Sequence, residues 1–351
     1  MPLRPISAAE AAADLTGFDA IIDARSPAEF ALDHLPGAIN WPVLDDEQRR
    51  TVGTLYVQTS ALEARKLGAT MAARNIADHL ERWIADKPRD WQPLVYCWRG
   101  GQRSGSLAWF LDQIGFRTAK LAGGYKGFRA VVLQDLAAWP ARFDFQVLAG
   151  RTGSGKTRLL QALAEQGAQV LDLEGLACHR GSILGNLPGQ PQPSQKQFDN
   201  RLWQVLRGLD AARPVFVESE SKKIGRLQLP DALVQHMHAQ GRVLRVQMSD
   251  AARVQLLLED YGFFADDAEA FCRLLDGLVV LRGRDTVARW QALARAGDWA
   301  SVFGQLMHEH YDPLYQRSMD RNYNGLINAE LVALADGGPA ALHQAAAALL
   351  S

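Results

Sequence analysis

Residues 145–157 of the chain read FQVLAGRTGSGKT. The first five are an apolar run of strand length, and the next eight match the phosphate-loop pattern G-x4-G-K-[ST] in full, directly before a helical pattern at residues 158–166. In this context the glycines let backbone N–H groups wrap a phosphate, the lysine reaches across it, and the threonine hydroxyl can ligate Mg²⁺. We therefore expect a phosphate site formed by Gly150, Gly153, Ser154, Gly155, Lys156 and Thr157.

Apolar runs of strand length alternate with helical patterns along the whole chain. They lie at residues 20–23, 94–96, 145–149, 169–172, 215–218 and 243–246. This alternation predicts an α/β fold with parallel sheets. The run that ends at Glu218 is a candidate second strand, whose carboxylate would serve a metal ion or a water as in a Walker B strand. An acidic residue at a strand end is often only solvated, so both interpretations stay open.

The length of 351 residues suggests about two domains, at ~150 residues per domain. Trp139 and Pro140 follow a helical segment at residues 129–138, and proline cannot continue a helix. We therefore predict a first domain at residues 1–140 and a second at residues 141–351, ending in a helical segment.

Composition and charge exclude several classes of protein. Hydrophobic residues make up 48% and charged residues 22%, which is typical of a folded globular chain. The net charge of −1 argues against a polybasic nucleic-acid binder. Three cysteines without a CxxC pair argue against a zinc finger or a disulfide framework, and we assign no metal ligands. The chain shows no signal peptide or membrane span, so we expect a cytoplasmic protein.

A second motif lies in residues 94–104, LVYCWRGGQRS, which predict a buried strand, a tight glycine loop and a helix that starts near Ser104. Cys97 would lie beneath backbone N–H groups at the positive end of the helix, next to Arg99 and Arg103. These conditions favour a thiolate, although an isolated cysteine after an apolar strand is usually a small buried hydrophobe. The amides that would cradle an anion on the sulfur belong to Gly100, Gly101 and Gln102.

The cysteine motif belongs to a longer pattern that resembles the rhodanese family over residues 15–138. The other matching segments are DARSPAEF at 23–30, HLPGAIN at 34–40 and LAGGY at 121–125. Rhodaneses carry a chalcogen atom on the cysteine, which implies the same for Cys97. From Cys97 to Arg103 the loop has seven residues, whereas the common sulfurtransferase loop has six. The longer form resembles the dual-specificity cell-cycle phosphatases and favours a larger group, such as phosphate or selenium, over simple thiosulfate sulfurtransfer.

A rhodanese segment followed by a phosphate loop is similar to the tRNA 2-selenouridine synthase family, and the resemblance covers essentially the whole chain. Residues 171–182, LDLEGLACHRGS, and 192–195, QPSQ, also match. The resemblance implies action on the wobble uridine (position 34) of tRNAs for Lys, Glu and Gln that carry 2-thiouridine. It implies S-geranylation with geranyl diphosphate, then replacement of the S-geranyl group by selenium from selenophosphate. Cys97 would form an S-selanylcysteine, and Lys156, with Mg²⁺ as a possible partner, would hold the diphosphate.

Other features of the sequence allow two interpretations. Residues 180–226 carry eight basic side chains against four acidic ones and are a candidate surface for the anticodon loop, or an ordinary solvated face. An apolar slot for the geranyl chain, or simply protein core, is predicted from Tyr261, Phe263, Phe264 and Phe271. Cys178 and Cys272 are expected to be buried filler. We expect a monomer.

Three alternative functions stay open at the level of sequence. The first is a small-molecule kinase or ATPase with a rhodanese module used only for binding, which predicts hydrolysis dependent on Lys156 and no role for Cys97. The second is a simple sulfurtransferase. The third is a phosphatase that uses the seven-residue loop.

Overall fold

The computed structural model describes residues 3–323 and 329–351, which form two compact units. One unit comprises Met1–Asp135 with Ser194–Trp203, and the other comprises Leu136–Pro193 with Gln204–Ser351. The chain passes from one unit to the other slightly before the predicted boundary at residue 140. The prediction also placed Ser194–Trp203 in the second domain, whereas the structure packs it in the first unit. Long-range hydrogen bonds account for this, since the indole of Trp203 donates to Asp135 at 2.8 Å.

The first unit is a parallel five-stranded sheet flanked by helices, with the strand order β1-β5-β4-β2-β3. Its strands are β1 (Arg4–Ile6), β2 (Ala20–Asp23), β3 (Ala38–Asn40), β4 (Pro93–Tyr96) and β5 (Ala119–Leu121). Its helices are α1 (Ala8–Ala13), α2 (Pro27–Leu32), α3 (Asp46–Gln58), α4 (Ala61–Trp83), α5 (Gln102–Ile114) and α6 (Gly124–Ala138), of which the last continues past the unit boundary. Every residue of the central strand β4 is buried, which explains its unbroken apolar run.

The second unit contains a parallel five-stranded sheet in the order β12-β11-β6-β8-β7 and a short antiparallel pair. Its strands are β6 (Phe145–Ala149), β7 (Gln169–Leu171), β8 (Val215–Glu218), β9 (Lys223–Ile224), β10 (Leu227–Gln228), β11 (Arg242–Gln247) and β12 (Glu330–Ala333). The helices that follow β6 along the chain are α7 (Lys156–Glu165), α8 (Leu173–Ala177), α9 (Gln195–Gly208), α10 (Asp231–Gln240), α11 (Asp250–Asp260), α12 (Ala268–Asp276), α13 (Val279–Arg282), α14 (Arg284–Arg295), α15 (Trp299–Leu306), α16 (Asp312–Asn322) and α17 (Pro339–Leu350). Strand β6, which leads into the phosphate loop, lies at the middle of this sheet.

The α/β fold with parallel sheets is confirmed, and each strand-like run named above forms a strand. The break after α6 is a 3-10 turn at Trp139–Arg142, as expected from Pro140. The C-terminal helix α17 packs in the core of the second unit through Leu342 and Ala346. Within residues 3–323 and 329–351, the model contains no helix with the length and apolarity needed to span a membrane.

Candidate functional sites: a thiol loop and a phosphate loop

Cys97 follows β4 directly and is only 3% exposed. Helix α5 begins at Gln102, slightly before the predicted Ser104, with Gly101 as its N-cap. The hydroxyl of Ser104 donates to the Cys97 sulfur at 3.1 Å. The sulfur therefore lies against the first turn of α5, where the helix dipole favours a negative charge. Sequence reasoning missed the role of Ser104 as a donor to the sulfur.

Glycines shape this loop because two segments of backbone approach closely. Gly100 has φ +68°, and a Cβ at this position would lie 2.7 Å from the Leu121 carbonyl oxygen. Gly124 has φ +57°, and its Cβ would lie 2.2 Å from the Cys97 carbonyl oxygen, which accepts a hydrogen bond from the Tyr125 N–H at 2.8 Å. The glycine-rich segment at the start of α6 therefore packs directly against the thiol loop, which gives a physical reason for glycine at positions 100 and 124.

The two predicted anion-binding arginines have different environments. Arg103 donates to the Glu29 carboxylate at 2.5 Å, and Arg49 lies 3.9 Å from the same group. Burial would raise the pKa of Glu29, but the hydrogen bond and charge of Arg103 hold this pKa below its ordinary value. Arg99 is exposed and forms no ion pair with any residue that the structure describes. Arg99 is therefore available to an incoming anion, whereas an anion must compete with Glu29 for Arg103.

An aromatic and cationic cluster lies beside the thiol loop. The rings of Trp98 and Tyr125 are stacked with centroids 5.4 Å apart, and the Lys196 ammonium lies 5.5 Å from the Trp98 ring. Lys196 belongs to the Ser194–Trp203 segment of the first unit. The predicted basic run of residues 180–226 is thus divided between the two units rather than confined to one domain, because this segment packs in the first unit.

Several basic side chains of that run in the second unit are engaged with backbone carbonyls. Arg180 donates to the Asp260 carbonyl at 2.6 Å, and Arg213 donates to the Gly167 carbonyl at 2.7 Å. Part of the local positive charge therefore supports the fold, and the count of basic residues overstates the charge that is available to an RNA.

The phosphate loop of the second unit has the predicted strand–loop–helix geometry. Gly153 and Gly155 have φ +77° and +83°, and a Cβ on Gly150 would lie 2.8 Å from the Val246 carbonyl oxygen. The Lys156 ammonium donates to the Gly150 carbonyl at 2.8 Å. Ser154 is buried, and its hydroxyl has no hydrogen-bond partner among the described residues. The loop borders a cavity of about 480 Å³.

Three carboxylates meet beside this loop. The ligand atoms of Glu174, Glu218 and Glu220 lie within 4.8 Å of one another. Glu218 ends β8 and pairs in register with Leu148 of β6, so the predicted strand is confirmed, and the role of Glu218 toward a metal ion or a water stays a prediction. The hydroxyl of Thr157 lies 3.4 Å from a Glu174 oxygen. Glu174 and Glu220 were not assigned by sequence, although Glu220 stands two residues after a strand-end glutamate and Glu174 lies in the family motif.

The environment of these carboxylates disfavours their charged forms. Burial raises the pKa of Glu218 to about 7 and, together with the charges of Glu218 and Glu220, raises the pKa of Glu174 well above its ordinary value. The Oε1 atom of Glu218 has no hydrogen-bond partner in the described part of the chain. Carboxylate and hydroxyl oxygens are the ligands that Mg²⁺ prefers, and an unpartnered buried oxygen fits such an ion.

Three smaller predictions have mixed outcomes. Tyr261, Phe264 and Phe271 are buried in one cluster of the second unit and Phe263 packs against it, which confirms the core interpretation; Tyr261 also borders the cavity of the phosphate loop. Cys272 is buried in the same cluster, as expected. Cys178 was expected to be buried, but it is half-buried at the end of α8, with φ +50°.

The geometry defines a class of protein. A thiol at the end of a parallel strand, held in a glycine-supported loop, identifies a rhodanese-like unit, and it is joined to a P-loop unit with an acidic strand end. Residues 7–131 match the rhodanese-like domain family, and residues 143–276 match the family described as tRNA 2-selenouridine synthase AAA domain.

Curated relatives extend this assignment to the family. A tRNA 2-selenouridine synthase of Sulfurovum sp. is 31% identical, and the match covers 88% of this chain and 90% of that protein. Another, of Shewanella halifaxensis, is 32% identical, and the match covers 93% of this chain and 96% of that protein. A third, of Nitrosomonas europaea, is 37% identical, and the match covers 69% of this chain but only 63% of the length of that protein. The chain belongs to the tRNA 2-selenouridine synthase family.

Proposed function

We propose that the protein converts 2-thiouridine at the wobble position (34) of tRNA to 2-selenouridine. The reaction has two steps: S-geranylation by geranyl diphosphate, and exchange of the S-geranyl group for selenium from selenophosphate. The observation that carries the proposal is the presence in one chain of a thiol loop at Cys97 and a phosphate loop at Lys156, in a family whose relatives are named for this activity. The expected substrates are tRNAs for Lys, Glu and Gln, and the expected compartment is the cytoplasm.

The first step is assigned to the second unit. The thiocarbonyl sulfur of the base forms a bond to the terminal carbon of the geranyl chain, the C–O bond breaks, and its electron pair leaves on the diphosphate. Lys156 and the loop N–H groups stabilise the charge that grows on the leaving oxygens. Thr157, Glu174, Glu218 and Glu220 would hold Mg²⁺, which would supply further positive charge to the diphosphate.

The second step is assigned to the thiol loop of the first unit. Alkylation converts a poor leaving group into a thioether, so a C2–Se bond can form as the C2–S bond breaks and geranyl thiol departs. Cys97 carries the selenium as a selanyl group, and Arg99 and the loop amides hold the phosphate of the donor. When the Cys97 thiolate takes selenium, the S–Se bond forms, the Se–P bond breaks and the phosphoryl group passes to water as phosphate; a small external disulfide accepts the two electrons of this oxidation. After the C2–Se bond has formed, two molecules of the corresponding thiol reduce the S–Se bond, which frees Cys97 and regenerates the disulfide, so no net oxidation occurs over the cycle.

The proposal is tested with an anticodon stem-loop RNA that carries 2-thiouridine at the wobble position. The purified protein, the RNA, a small thiol with its disulfide and geranyl diphosphate are expected to give S-geranyl-2-thiouridine, and addition of selenophosphate is expected to give 2-selenouridine, as measured by nucleoside mass spectrometry. Omission of geranyl diphosphate is expected to stop both. Formation of 2-selenouridine at the same rate without geranyl diphosphate would overturn the two-step scheme. ATP hydrolysis that depends on Lys156, with no change in the RNA, would favour the kinase or ATPase alternative.

The acidic cluster leads to a prediction about stability without divalent cations. The folded-state pKa of Glu218, about 7, lies above its ordinary value, so between the two values the folded protein binds a proton more tightly than the unfolded chain. The free energy of unfolding of the second unit is therefore expected to fall as pH rises through this window and to level off above it. Glu218→Gln is expected to reduce this slope, measured by urea denaturation in a chelating buffer from pH 5 to pH 8.

The control is Glu309→Gln, an exposed glutamate of the same unit that is paired with Arg289 rather than with a histidine, and it is expected to keep the slope of the wild type. The same variants can be titrated with Mg²⁺, which is expected to raise the unfolding temperature of the wild type and of the control but not of Glu218→Gln. An unchanged pH slope in Glu218→Gln would mean that the charge on Glu218 is already compensated in the protein without a cation.

A further inference from the structure

A cavity of about 860 Å³ lies between α3 and α4 in the first unit and has no place in the scheme above. Its walls are apolar and include Val52, Tyr56, Ala69, Ala73 and Phe110. Tyr56 is 55% exposed although it is a large apolar side chain, so this groove is open to solvent. An open apolar groove of this size is typical of a ligand-binding surface.

The groove begins at the last residues of the thiol loop. Gln102 and Arg103, which end this loop, line the groove together with Ser106. Ser104 lies in the same turns of α5 and donates to the Cys97 sulfur at 3.1 Å from another side of the helix. An apolar chain that is attached to a molecule reacting at Cys97 would therefore pass Gln102 and Arg103 to enter the groove.

The groove also has a cationic side. Arg49, Arg65 and Arg103 line it, and Arg65 is exposed and forms no ion pair with any residue of the described ranges. Apolar walls next to guanidinium groups fit an apolar chain that is attached to an anionic molecule. A free hydrocarbon or an apolar peptide would leave Arg65 without a partner, whereas Arg49 and Arg103 already lie beside the Glu29 carboxylate.

We propose that the groove receives the geranyl chain of S-geranyl-2-thiouridine while selenium replaces sulfur at C2. This inference rests on the proposed function and adds the site that holds the geranyl thiol as it leaves. As the C2–Se bond forms, the C2–S bond breaks and its electron pair leaves on the geranyl thiolate, which takes a proton from water. The groove holds the ten-carbon chain beside the thiol loop, and the nearby arginines contact phosphates of the RNA. Binding of the geranyl chain therefore selects uridine that has been alkylated, and it also positions C2 of this base beside Cys97.

The test uses two synthetic anticodon stem-loops, one with S-geranyl-2-thiouridine and one with S-methyl-2-thiouridine at the wobble position. Selenophosphate, a small thiol with its disulfide and the full-length protein are added, and kcat/KM for 2-selenouridine formation is measured. Ala69→Trp and Ala73→Trp fill the groove from exposed positions of α4. Ala77→Trp, one turn after Ala73 and outside the groove, is the matched control.

The wild type and Ala77→Trp are expected to prefer the S-geranyl RNA by roughly a hundred-fold or more, since each buried methylene group favours binding about four-fold. In Ala69→Trp and Ala73→Trp this preference is expected to fall to below about ten-fold, with the S-methyl rate within two-fold of the wild type. An unchanged preference in both variants overturns the proposal, and so does an equal loss for both RNAs. A wild-type dimer that becomes a monomer in Ala69→Trp also overturns it, because a second copy of the chain would then occupy the groove.

These outcomes are separate from failure of the proposed function itself. If the wild type forms no 2-selenouridine from either RNA, the two-step scheme is wrong, whatever the groove variants do. If the wild type converts both RNAs without preference, selenium exchange is correct and the groove assignment is wrong.

Discussion

Replacement of Cys97 by serine is expected to stop selenium incorporation and to leave S-geranyl-2-thiouridine as the end product. The sulfur is the group that carries selenium, and a serine hydroxyl at the same position cannot form a selanyl adduct. Loss of a nucleophile typically lowers the rate by at least about 10³-fold. The measurement is nucleoside analysis of the stem-loop RNA after incubation with geranyl diphosphate and selenophosphate. Serine keeps the size of the side chain in the tight space beside Ser104, so the fold is expected to survive.

Two internal controls accompany this variant. Geranylation by the same protein shows that Cys97→Ser is folded and binds RNA. Cys178→Ser changes a half-buried thiol in the other unit and is expected to retain both steps. If Cys97→Ser stops before geranylation, the assignment of the two steps to two units is wrong. If it incorporates selenium at the normal rate, Cys97 is a structural residue.

The fold was predictable where the signal is local. The five-residue run before the phosphate loop forms β6 with the predicted bounds, because a buried parallel strand is apolar on both faces. Strands β1, β3 and β5 have three residues each and were not predicted, since so short a segment has no periodicity of its own and is fixed by its neighbours in the sheet. Ser194–Trp203 was placed in the wrong unit for the same reason, because its hydrogen bonds reach residues that are far away in sequence.

The candidate site shows the same limit. The Cys97 loop and the Lys156 loop are continuous motifs, so the sequence predicted both. Glu174 lies in α8 after β7 and Glu220 in the loop after β8, and they meet Glu218 only because β7 and β8 are adjacent in the sheet. The partner of Arg103 is Glu29, 74 positions away, and the groove beside it needs three helices to form. Spacing in sequence carries no information on such contacts, so Thr157 and Glu218 of the cation site were predictable from their motifs, whereas Glu174, Glu220 and the groove were not.

Lys156→Ala is expected to block formation of S-geranyl-2-thiouridine and therefore of 2-selenouridine. The side chain is the cation of the phosphate loop, and its removal leaves the charge on the departing diphosphate to the backbone N–H groups. Loss of one such stabilising group lowers a rate by about 10²–10³-fold. The measurement is again nucleoside analysis, in which unmodified 2-thiouridine is expected to persist. The double variant with Cys97→Ser is expected to match Lys156→Ala, because the blocked step comes first.

A chemical bypass makes this prediction specific to the first step. When the RNA already carries S-geranyl-2-thiouridine, Lys156→Ala is expected to form 2-selenouridine at nearly the wild-type rate, because the thiol loop of the other unit is intact. Arg295→Ala, which removes an exposed cation paired with Glu269 in the same unit and outside the basic run of residues 180–226, is expected to leave both steps unchanged and controls for loss of charge. If the bypass fails in Lys156→Ala while Arg295→Ala remains active, the phosphate loop acts in selenium exchange as well. The leaving diphosphate would then not be its only ligand, and a phosphate of the tRNA or of the selenium donor would have to be placed there.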